Sequence, residues 1–371
     1  MIRSLLLRNF KCFREQRFKF APLTLLSGIN GMGKSSAIQS LLALRQSYDQ
    51  GMLPATGLAL NGELVRLGNA SDVLHEGADS SDQLEIVVEF SPPANREWHF
   101  QYDREKNSLD LCSQPVTQDE VPTVFLNDDF CYLRAERVGP RMSFDVSDFH
   151  VRQHRRLGTQ GELAAHYLSV YGGESLPNPR LARNGAASSS LRDQVEAWMS
   201  EVSPGVRINV SELARSQGVD IVTLQYSYIR GTQVTNQYRS TNVGFGVTYV
   251  LPIFVALLSA QPGSVIVIEN PEAHLHPRGQ AIIGELLARA ASSGVQIIVE
   301  THSDHVMNGA RIAVREKMLN AEDLTILFFE RPSEERLDPN VSELKVDIDG
   351  RIDRWPDGFF DEWDRSLERL L

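Results

Sequence analysis

The apolar positions of the first fifty residues predict two strands followed by one helix. Ile2–Phe10 and Leu23–Gly28 are apolar runs of strand length, and the second run ends at a glycine. Between Ser35 and Tyr48 the apolar residues recur at helical spacing. The residues between Gly28 and Ser35 are therefore predicted to form a loop that joins a strand to a helix.

The middle of the chain predicts an antiparallel layer followed by helices. Residues 83–90, 98–103 and 123–127 have strand patterns separated by polar turns. Residues 152–199 have a helical pattern, interrupted at 171–190 by a stretch rich in Gly, Pro and Ser. We expect that stretch to be a mobile surface loop. A hairpin is predicted around Arg230 and Gly231.

The last third of the chain predicts a parallel sheet. Strand patterns at 264–270, 295–303 and 324–330 alternate with helical patterns at 277–292 and 304–318. Such a β-α-β-α-β series is typical of an α/β fold whose strands are parallel and buried on both faces.

The loop after Gly28 carries a phosphate-binding pattern. Gly28-Ile-Asn-Gly-Met-Gly-Lys-Ser35 fits G-x-x-x-x-G-K-[ST] at every fixed position. The glycines let backbone N–H groups converge on one anion, and the following helix adds a partial positive charge. The pattern predicts an ATP site in which Lys34 neutralises the β- and γ-phosphates and Ser35 ligates Mg²⁺. The alternative is a glycine-rich turn that matches by chance. The predicted nucleotide-binding residues here are Asn30, Gly31, Gly33, Lys34, Ser35 and Ser36.

Composition narrows the function classes. The 371 residues carry a net charge of −11, and 42% of them are hydrophobic, which is typical of a globular protein and argues against a nucleic-acid coat. The three cysteines, at 12, 112 and 131, have no metal-ligand or redox spacing. They predict reduced thiols in a cytoplasmic protein. We expect no signal peptide and no membrane partner, because no segment reaches the roughly 18 apolar residues of a membrane span.

Two residues at predicted strand ends are candidates for the second half of the ATP site. Glu269 ends an apolar strand, where its carboxylate can hold Mg²⁺ through water. The alternative is an acid that only solvates the turn. His302 ends the next strand, where it can hydrogen-bond the γ-phosphate or the attacking water, unless it is a structural histidine.

A second interpretation of this region is a transition-metal cluster. His274 and His276 flank Leu275, and Glu269 and Glu272 lie close in sequence. Zinc sites need tighter supporting geometry than this spacing provides. We therefore expect no dedicated transition-metal site here.

Taken together, these motifs resemble those of ABC-type ATPases in the group of RecF, SMC and OLD (overcoming lysogenization defect) proteins. The resemblance rests on "LLLRNFKCFRE", "GINGMGKSS", "NVGFGVTYVLPIFVALLS", "IVIENPEAHLHPRGQ" and "VETHSDHV". With the tail "DGRIDRWPDGFFDEW", the pattern resembles small standalone bacterial AAA-family ATPases of antiphage defence operons, such as Septu, Menshen and retron-associated systems. It covers residues 1–73 and 241–363 and leaves the middle weakly covered.

The resemblance implies an α/β fold, an ABC-type P-loop ATPase head with a mixed central sheet, an antiparallel β layer and a helical insertion. We divide the chain into the N-terminal part of the head (1–150), a helical insertion with a hairpin (151–230), the C-terminal part of the head (231–345) and a C-terminal cap (346–371). The cap is predicted to end in an amphipathic helix.

The resemblance also implies ATP-dependent pairing of two heads into a homodimer or higher oligomer. Each ATP then contacts the phosphate loop of one head and the signature segment of the other. Gly244-Phe-Gly246 stands at the signature position, where N–H groups at the start of a helix receive the partner's γ-phosphate. The alternative is a plain glycine turn that begins a helix.

The sequence departs from the family pattern twice. Gly244 replaces the usual signature serine, and Asn270 replaces the usual glutamate that acts as general base. An amide can orient a water but cannot accept its proton. Glu272 is the candidate base if the turn at Pro271 directs it into the site. Otherwise hydrolysis is slow and the protein acts as an ATP-gated clamp, because losing a general base costs about 10²–10⁴-fold. By resemblance, His276 is expected to contact the partner head.

Two further groups of residues leave alternatives open. The segment 134–156 is rich in arginine, which predicts either a phosphate-contacting face or ion pairs with interspersed acids. Near the N-terminus, Arg8, Lys11 and Phe13 are expected by analogy to contact the adenine, with core packing as the alternative for Phe13. The arginines are Arg134, Arg137, Arg141, Arg152, Arg155 and Arg156.

The leading hypothesis is an ATPase whose ATP-driven dimer regulates an effector protein, expected to be a nuclease in bacterial antiphage defence. The residues show no nuclease signature, and with the sequence ending at Leu371 we expect no Toprim domain after the ATPase. The alternative is a RecF-like repair or recombination ATPase that binds DNA. A kinase-like P-loop enzyme is a third interpretation, and it does not account for "ETHSDH" and "HLHP".

Overall fold

The chain forms two compact units. Unit 1 contains Met1–Asn127 and Ala321–Leu371, and unit 2 contains Asp128–Asn320. The computed structural model describes the chain except for residues 54, 80, 92–93, 105, 113–128, 215–219, 331–337, 357–361 and 371. Within that description, no helix is both long and apolar enough to cross a membrane.

The strands and helices are numbered in chain order. The strands are β1 (Ile2–Phe10), β2 (Phe13–Lys19), β3 (Leu23–Gly28), β4 (Gly57–Ala59), β5 (Gln83–Phe90), β6 (Ala94–Gln101), β7 (Ser108–Leu111), β8 (Phe130–Leu133), β9 (Val206–Ala214), β10 (Asp220–Arg230), β11 (Gln233–Val234), β12 (Tyr238–Arg239), β13 (Val265–Glu269), β14 (Gln296–Glu300), β15 (Leu324–Glu330) and β16 (Asn340–Lys345). The helices are α1 (Lys34–Asp49), α2 (Ala164–Tyr171), α3 (Leu191–Val202), α4 (Phe245–Ser259), α5 (Pro277–Ser292), α6 (Asp304–Arg315) and α7 (Glu362–Leu370). Phe149–Gln153 forms a π-helical turn.

Unit 1 contains an antiparallel sheet and a mixed ladder of three strands. The antiparallel sheet has the order β2-β1-β5-β6-β7-β4. In the mixed ladder, β15 pairs in parallel with β3 and antiparallel with β16. The antiparallel layer predicted at 83–90 and 98–103 is confirmed, and the strand predicted at 123–127 lies outside the described residues. The ladder sets the position of Gly28, where the phosphate-binding loop begins.

Unit 2 contains two of the three predicted parallel strands, β13 and β14, and the third, β15, lies in unit 1. β13 lies between β14 and β8 and is parallel to both. Its residues Val265–Ile268 are buried, as expected for a parallel strand covered on both faces. Helices α5 and α6 cross closely at glycines, since a methyl group at Gly284 would overlap the carbonyl oxygen of Val306. The parallel arrangement brings the carboxyl ends of β13 and β14 to one edge.

The helix starts of unit 2 are defined by capping side chains. The Nδ1 of His276 accepts the N–H of Arg278 at 3.3 Å before α5, which has Pro277 at its first position. The hydroxyl of Ser303 accepts the N–H of Val306 at 3.1 Å before α6. The predicted helix at 304–318 ends earlier, at Arg315.

The segment 171–190, expected to be mobile, packs against helices of unit 2. Leu181 is fully buried, and its carbonyl accepts the indole N–H of Trp198 at 2.9 Å. The guanidinium of Arg183 lies 4.4 Å from the centre of the same indole ring. The Gly and Pro content thus did not indicate that Leu181 and Arg183 of this segment pack against a tryptophan.

Antiparallel strands complete unit 2. β10 pairs with β9 and, through the turn at Gly231, with β11, where Arg230 is opposite Gln233. The predicted hairpin is therefore confirmed. A short 3₁₀ turn, Ser240–Asn242, connects β12 to α4. The predicted signature segment therefore directly follows these strands.

Candidate functional site

The phosphate-binding loop lies between β3 and α1 of unit 1. Gly28, Gly31 and Gly33 have φ angles of +126°, +79° and +91°, which residues with a Cβ rarely adopt. The N–H of Ile29 donates to the carbonyl of Phe329 on β15 at 3.0 Å. The strand–loop–helix context that the sequence predicted for this motif is therefore present.

Close packing beneath the loop requires glycine at two positions. A methyl group at Gly28 would overlap the carbonyl oxygen of Phe329, and one at Gly33 would lie 2.6 Å from the sulfur of Cys12. The same methyl group would overlap the ring of Phe13. A methyl group added at Gly31 would have no atom within 4 Å. The floor of the loop is thus shaped by Cys12, Phe13 and Phe329.

Lys34 places its ammonium group inside the curl of the loop. Its Nζ donates to the carbonyls of Gly28 at 3.0 Å and Ile29 at 2.9 Å, and the residue is 3% exposed. Ser35 is exposed on the first turn of α1. The lysine, the helix start and the loop backbone therefore present positive charge at one place, which suits a phosphate. Asn30, Gly31, Gly33, Lys34, Ser35 and Ser36 all lie at this junction.

In unit 2, Glu269 at the end of β13 is held by the segment after β8. Its Oε1 accepts the hydroxyl of Tyr132 at 3.1 Å, and its Oε2 accepts the N–H of Ala135 at 3.1 Å. Burial, with a smaller effect of the Glu269 charge, raises the pKa of the Tyr132 phenol, which therefore stays a hydrogen-bond donor. The carboxylate is fixed on two sides.

Asn270 begins the loop that follows β13. It has a φ of +44°, which asparagine tolerates better than most residues. Its N–H donates to the carbonyl of Glu300 at 2.8 Å. Its side-chain oxygen Oδ1 is buried and has no hydrogen-bond partner among the described residues. That oxygen can accept a hydrogen bond but not a proton.

Glu272 connects this loop to the end of β14. One carboxylate oxygen accepts the hydroxyl of Thr301 at 2.8 Å, and the other accepts the N–H of His302 at 2.8 Å. A carboxylate has about four acceptor sites, so these two bonds leave acceptor capacity. Glu269, Asn270, Glu272 and His302 thus share one edge of unit 2.

The predicted signature segment is the start of α4. Gly244 is the N-cap residue, and a methyl group there would meet open space. At Gly246 a methyl group would overlap the carbonyl oxygen of His274. The ring of Phe245, which is 46% exposed, lies 4.5 Å from that of His274. The signature segment therefore packs on the loop that follows β13.

The histidines of that loop have partners other than a metal. His274 packs on Phe245 and lies 4.8 Å, ring to ring, from Tyr249. His276 caps α5.

The arginine-rich segment makes internal contacts through Arg137, Arg152 and Arg155. Arg152 pairs with Asp148 at 2.7 Å, and Arg155 pairs with Glu174 at 3.1 Å. Arg137 is 4% exposed and donates to backbone carbonyls. The ion pairs of Arg152 and Arg155 favour the ion-pair interpretation for those two residues, and the burial of Arg137 argues against a phosphate-contacting role for it.

The N-terminal candidates also have internal partners. Arg8 pairs with Glu15 at 3.0 Å and with Glu85 at 2.7 Å. The ammonium of Lys11 donates to Gln39 on α1 at 2.6 Å. Phe13 is 1% exposed and packs edge-on against Phe18, which supports the core role.

One other group in unit 1 has the spacing of metal ligands. Glu85, Glu97 and His99 each place a ligand atom within 4.8 Å of the others. Arg8 already neutralises Glu85 with hydrogen bonds of 2.8 and 2.7 Å to its two oxygens. A cation would have to displace that arginine.

The residues present suit Mg²⁺ as the ion. Mg²⁺ prefers oxygen ligands and keeps several waters. The Ser35 hydroxyl and the Glu269 carboxylate are oxygen donors, and each bonded oxygen of Glu269 retains a second acceptor site. The chemistry of each donor therefore fits the ion that the sequence predicted.

Sequence reasoning missed the residues that orient the edge of unit 2. Tyr132, Ala135 and Thr301 each bond a predicted site carboxylate. The signal for Tyr132 was its place near the end of an apolar run, two residues before the arginine-rich segment 134–156. Thr301 lies directly before His302 in the quoted motif.

Three family models match the chain. One, described as "AAA domain, putative AbiEii toxin, Type IV TA system", matches residues 145–308. One described as "AAA ATPase domain" matches residues 1–125, and one described as "Protein of unknown function (DUF3696)" matches residues 319–370. No curated protein matches the sequence.

Solved structures of Smc heads have the same fold. An Smc head bound to the C-terminal winged-helix domain of ScpA is similar with a TM-score of 0.51 at 14% identity, over 93% of this chain and 98% of that one. An Smc head with an extended coiled coil, bound to the C-terminal domain of ScpA and derived from Pyrococcus furiosus, gives 0.52 at 12% identity, over 100% and 99%. The predicted α/β fold of an ABC-type head is confirmed.

Proposed function

We propose that the chain, which matches AAA-domain family models over residues 1–125 and 145–308 and has the fold of Smc heads, is an ABC-type P-loop ATPase of the RecF and SMC group. It binds ATP with Mg²⁺ at the phosphate-binding loop and hydrolyses it slowly. The observation that carries this proposal is the loop itself, with three glycines at positive φ and the Lys34 ammonium inside the curl. Ser35 and Glu269 would hold the ion, which supplies charge neutralisation of the phosphates when bound.

Slow hydrolysis follows from the residue at the general-base position. Asn270 cannot take a proton from water, and both oxygens of Glu272 already accept hydrogen bonds from Thr301 and His302. Glu272 is left as the candidate base, and its contacts also orient His302. Without an effective base the rate falls by about 10²–10⁴-fold.

ATP turnover by four proteins tests these roles. If Asn270 limits the rate, Asn270→Glu speeds turnover over wild type. If Glu272 is the base, Glu272→Gln abolishes turnover while ATP still binds. Glu174→Gln is the matched control, because Glu174 pairs with Arg155 and its loss leaves the loop after β13 untouched. Fast wild-type turnover that survives Glu272→Gln would refute both assignments.

We further propose that ATP pairs two heads through the start of α4. The free N–H groups of a helix start suit a phosphate, and Gly244 leaves room in front of them. Mass measurements with and without an ATP analogue test this. Gly244→Asp places a negative charge at that position and should prevent the dimer. Gly173→Asp, at another glycine whose Cβ would meet open space, should not. Dimers that form equally in both variants would contradict the proposal.

The proposed consequence of pairing is control of an effector, expected to be a nuclease in bacterial antiphage defence. The family description over residues 145–308 names a toxin–antitoxin system, and the similar Smc heads are bound to ScpA domains. Both support a head that acts through a partner. Co-purification of an effector protein encoded next to this one would support this role. Salt-dependent, ATP-stimulated DNA binding by the isolated protein would instead favour the RecF-like alternative.

A further inference from the structure

Arg137 is a buried cation that contacts the backbone of the loop after β13. Its Nη1 donates to the carbonyl of Glu269 at 2.6 Å, and its Nη2 donates to the carbonyl of Asn270 at 2.7 Å. A further bond reaches the carbonyl of Arg134 at 3.1 Å. One guanidinium therefore fixes two consecutive peptide groups of this loop, at the point where the strand ends.

The same stretch of chain also holds the side chain of Glu269. Tyr132 and Ala135 donate to its two carboxylate oxygens, each at 3.1 Å. Residues 132–137 thus contact Glu269 at its carboxylate and, through Arg137, at its carbonyl. A change in the position of this segment would move both ends of the glutamate together.

Tyr249 on α4 supports the guanidinium from behind. The guanidinium carbon lies 4.6 Å from the centre of the Tyr249 ring. The Tyr249 hydroxyl accepts a hydrogen bond from the backbone N–H of Arg137 at 3.2 Å and donates one to the carbonyl of Ala135. The arginine is therefore restrained on its ring side as well as at its two terminal nitrogens.

Burying the charge of Arg137 costs free energy, and the hydrogen bonds that its guanidinium donates offset that cost. Burial lowers the pKa of Arg137, while the charges of Glu272 and Glu269 oppose that effect. A guanidinium stays protonated in either case, and its rigid planar fork holds two acceptors in fixed directions, whereas an ammonium group is a compact point charge on a flexible stem. The geometry thus uses a property that lysine lacks.

We propose that Arg137 is a positioning residue that holds Glu269 and Asn270 in the orientation required by the divalent ion of bound ATP. This inference rests on the proposed function, since it concerns the ion that Glu269 is proposed to hold. Outer residues that orient metal ligands typically change metal affinity by about 10–100-fold when they are replaced.

The test measures how strongly Mg²⁺ tightens nucleotide binding. Calorimetry gives the dissociation constant of the ATP analogue AMP-PNP, once with EDTA and once with Mg²⁺, and the ratio of the two is the coupling. For Arg137→Lys we expect an unchanged constant in EDTA and a coupling ratio about tenfold smaller than in wild type. A merely structural role would lower the melting temperature and the active fraction but leave the ratio unchanged, and that result would overturn the proposal.

Two further variants complete the test. Arg155→Lys is the matched control, because Arg155 also lies over a tyrosine ring, at 4.2 Å, but pairs with Glu174. Its coupling ratio should equal that of wild type. If Arg137→Lys does not fold, Tyr249→Phe decides, since it keeps the ring and removes the hydroxyl. We expect it to lower the ratio about threefold, and an unchanged ratio would overturn the proposal.

Failure of the proposed function is separately visible. If wild type binds AMP-PNP no better than Lys34→Ala, the ATP site itself is wrong and the role of Arg137 falls with it. If wild type binds the analogue but Mg²⁺ does not tighten binding, the role of Glu269 is wrong and the positioning role is overturned. If wild type shows coupling and Arg137→Lys matches it, only the present inference is overturned.

Discussion

Replacing Gly33 by alanine tests the packing beneath the phosphate-binding loop. Gly33 has a φ of +91°, and an added methyl group would overlap the Phe13 ring and lie 2.6 Å from the Cys12 sulfur. Gly31 has a φ of +79°, but a methyl group there would meet no atom within 4 Å. The two alanine variants therefore share a backbone penalty and differ in the steric one.

The magnitude follows from adding these two contributions. Placing an L-residue in a left-handed conformation costs about 1–2 kcal/mol. Forcing a methyl group into a packed site costs about 1–3 kcal/mol more, and Phe13 cannot easily move because it is 1% exposed. Gly31→Ala should thus lower the free energy of unfolding by about 1–2 kcal/mol, and Gly33→Ala by about 2–5 kcal/mol.

Urea unfolding of the two variants and wild type measures this difference. A shift of the midpoint with an unchanged slope reports a change in stability. If the loop turns outward to relieve the contact, Gly33→Ala should also lose more ATP affinity than Gly31→Ala. Equal destabilisation of the two variants would refute the packing described beneath the loop.

Three other outcomes are expected. Leu181→Ala should lower the free energy of unfolding by about 2–5 kcal/mol, because Leu181 is fully buried. The control Arg180→Ala should not lower it. Equal effects of the two variants in urea unfolding would contradict the packing of residues 171–190. Iodoacetamide at about pH 8 should modify the exposed Cys112 and spare Cys131, whose pKa burial raises to about 12; mass spectrometry that finds Cys131 labelled first would contradict this. Burial lowers the pKa of His166, so the imidazole takes up a proton more readily in the unfolded state than in the folded state. The free energy of unfolding should therefore fall as the pH drops below about 6.5. His166→Gln should lessen that fall, and a urea midpoint whose pH profile is unchanged in the variant would refute the effect of His166.

Elements with a strong apolar pattern were predictable from the sequence. β3, β13 and β15 are short apolar runs, and each is present where the pattern placed it. The phosphate-binding loop was predictable because glycine spacing and the flanking elements are local properties of the chain. The helix α5 was predicted at its observed bounds, Pro277–Ser292, since proline marks its first turn.

Elements that depend on partners were not predictable. In β2, "FREQRFK", only Phe13 and Phe18 are buried and the other residues face outward, so its composition is that of a loop. It is a strand because it pairs with β1. The role of Arg137 was hidden for a similar reason, since its acceptors lie more than a hundred residues further along the chain.

The hydrogen bonds of Glu272, at the edge of unit 2, were not predictable either. The sequence marked Glu272 as a candidate base but did not reveal that it holds Thr301 and the N–H of His302. Which hydrogen bonds a carboxylate accepts depends on the turn that follows Asn270, and that turn has a left-handed residue that no periodicity indicates.

Calorimetric binding of ATP with Mg²⁺ to wild type and to Lys34→Ala shows whether the phosphate-binding loop is an ATP site. We expect one ATP per chain for wild type and a loss of at least about tenfold in affinity for the variant, because the ammonium group of the loop contributes charge-assisted hydrogen bonds worth about 1.5–3 kcal/mol. Circular dichroism of the variant should match wild type. Wild type that binds no ATP, or a folded variant that binds it equally well, would contradict the account.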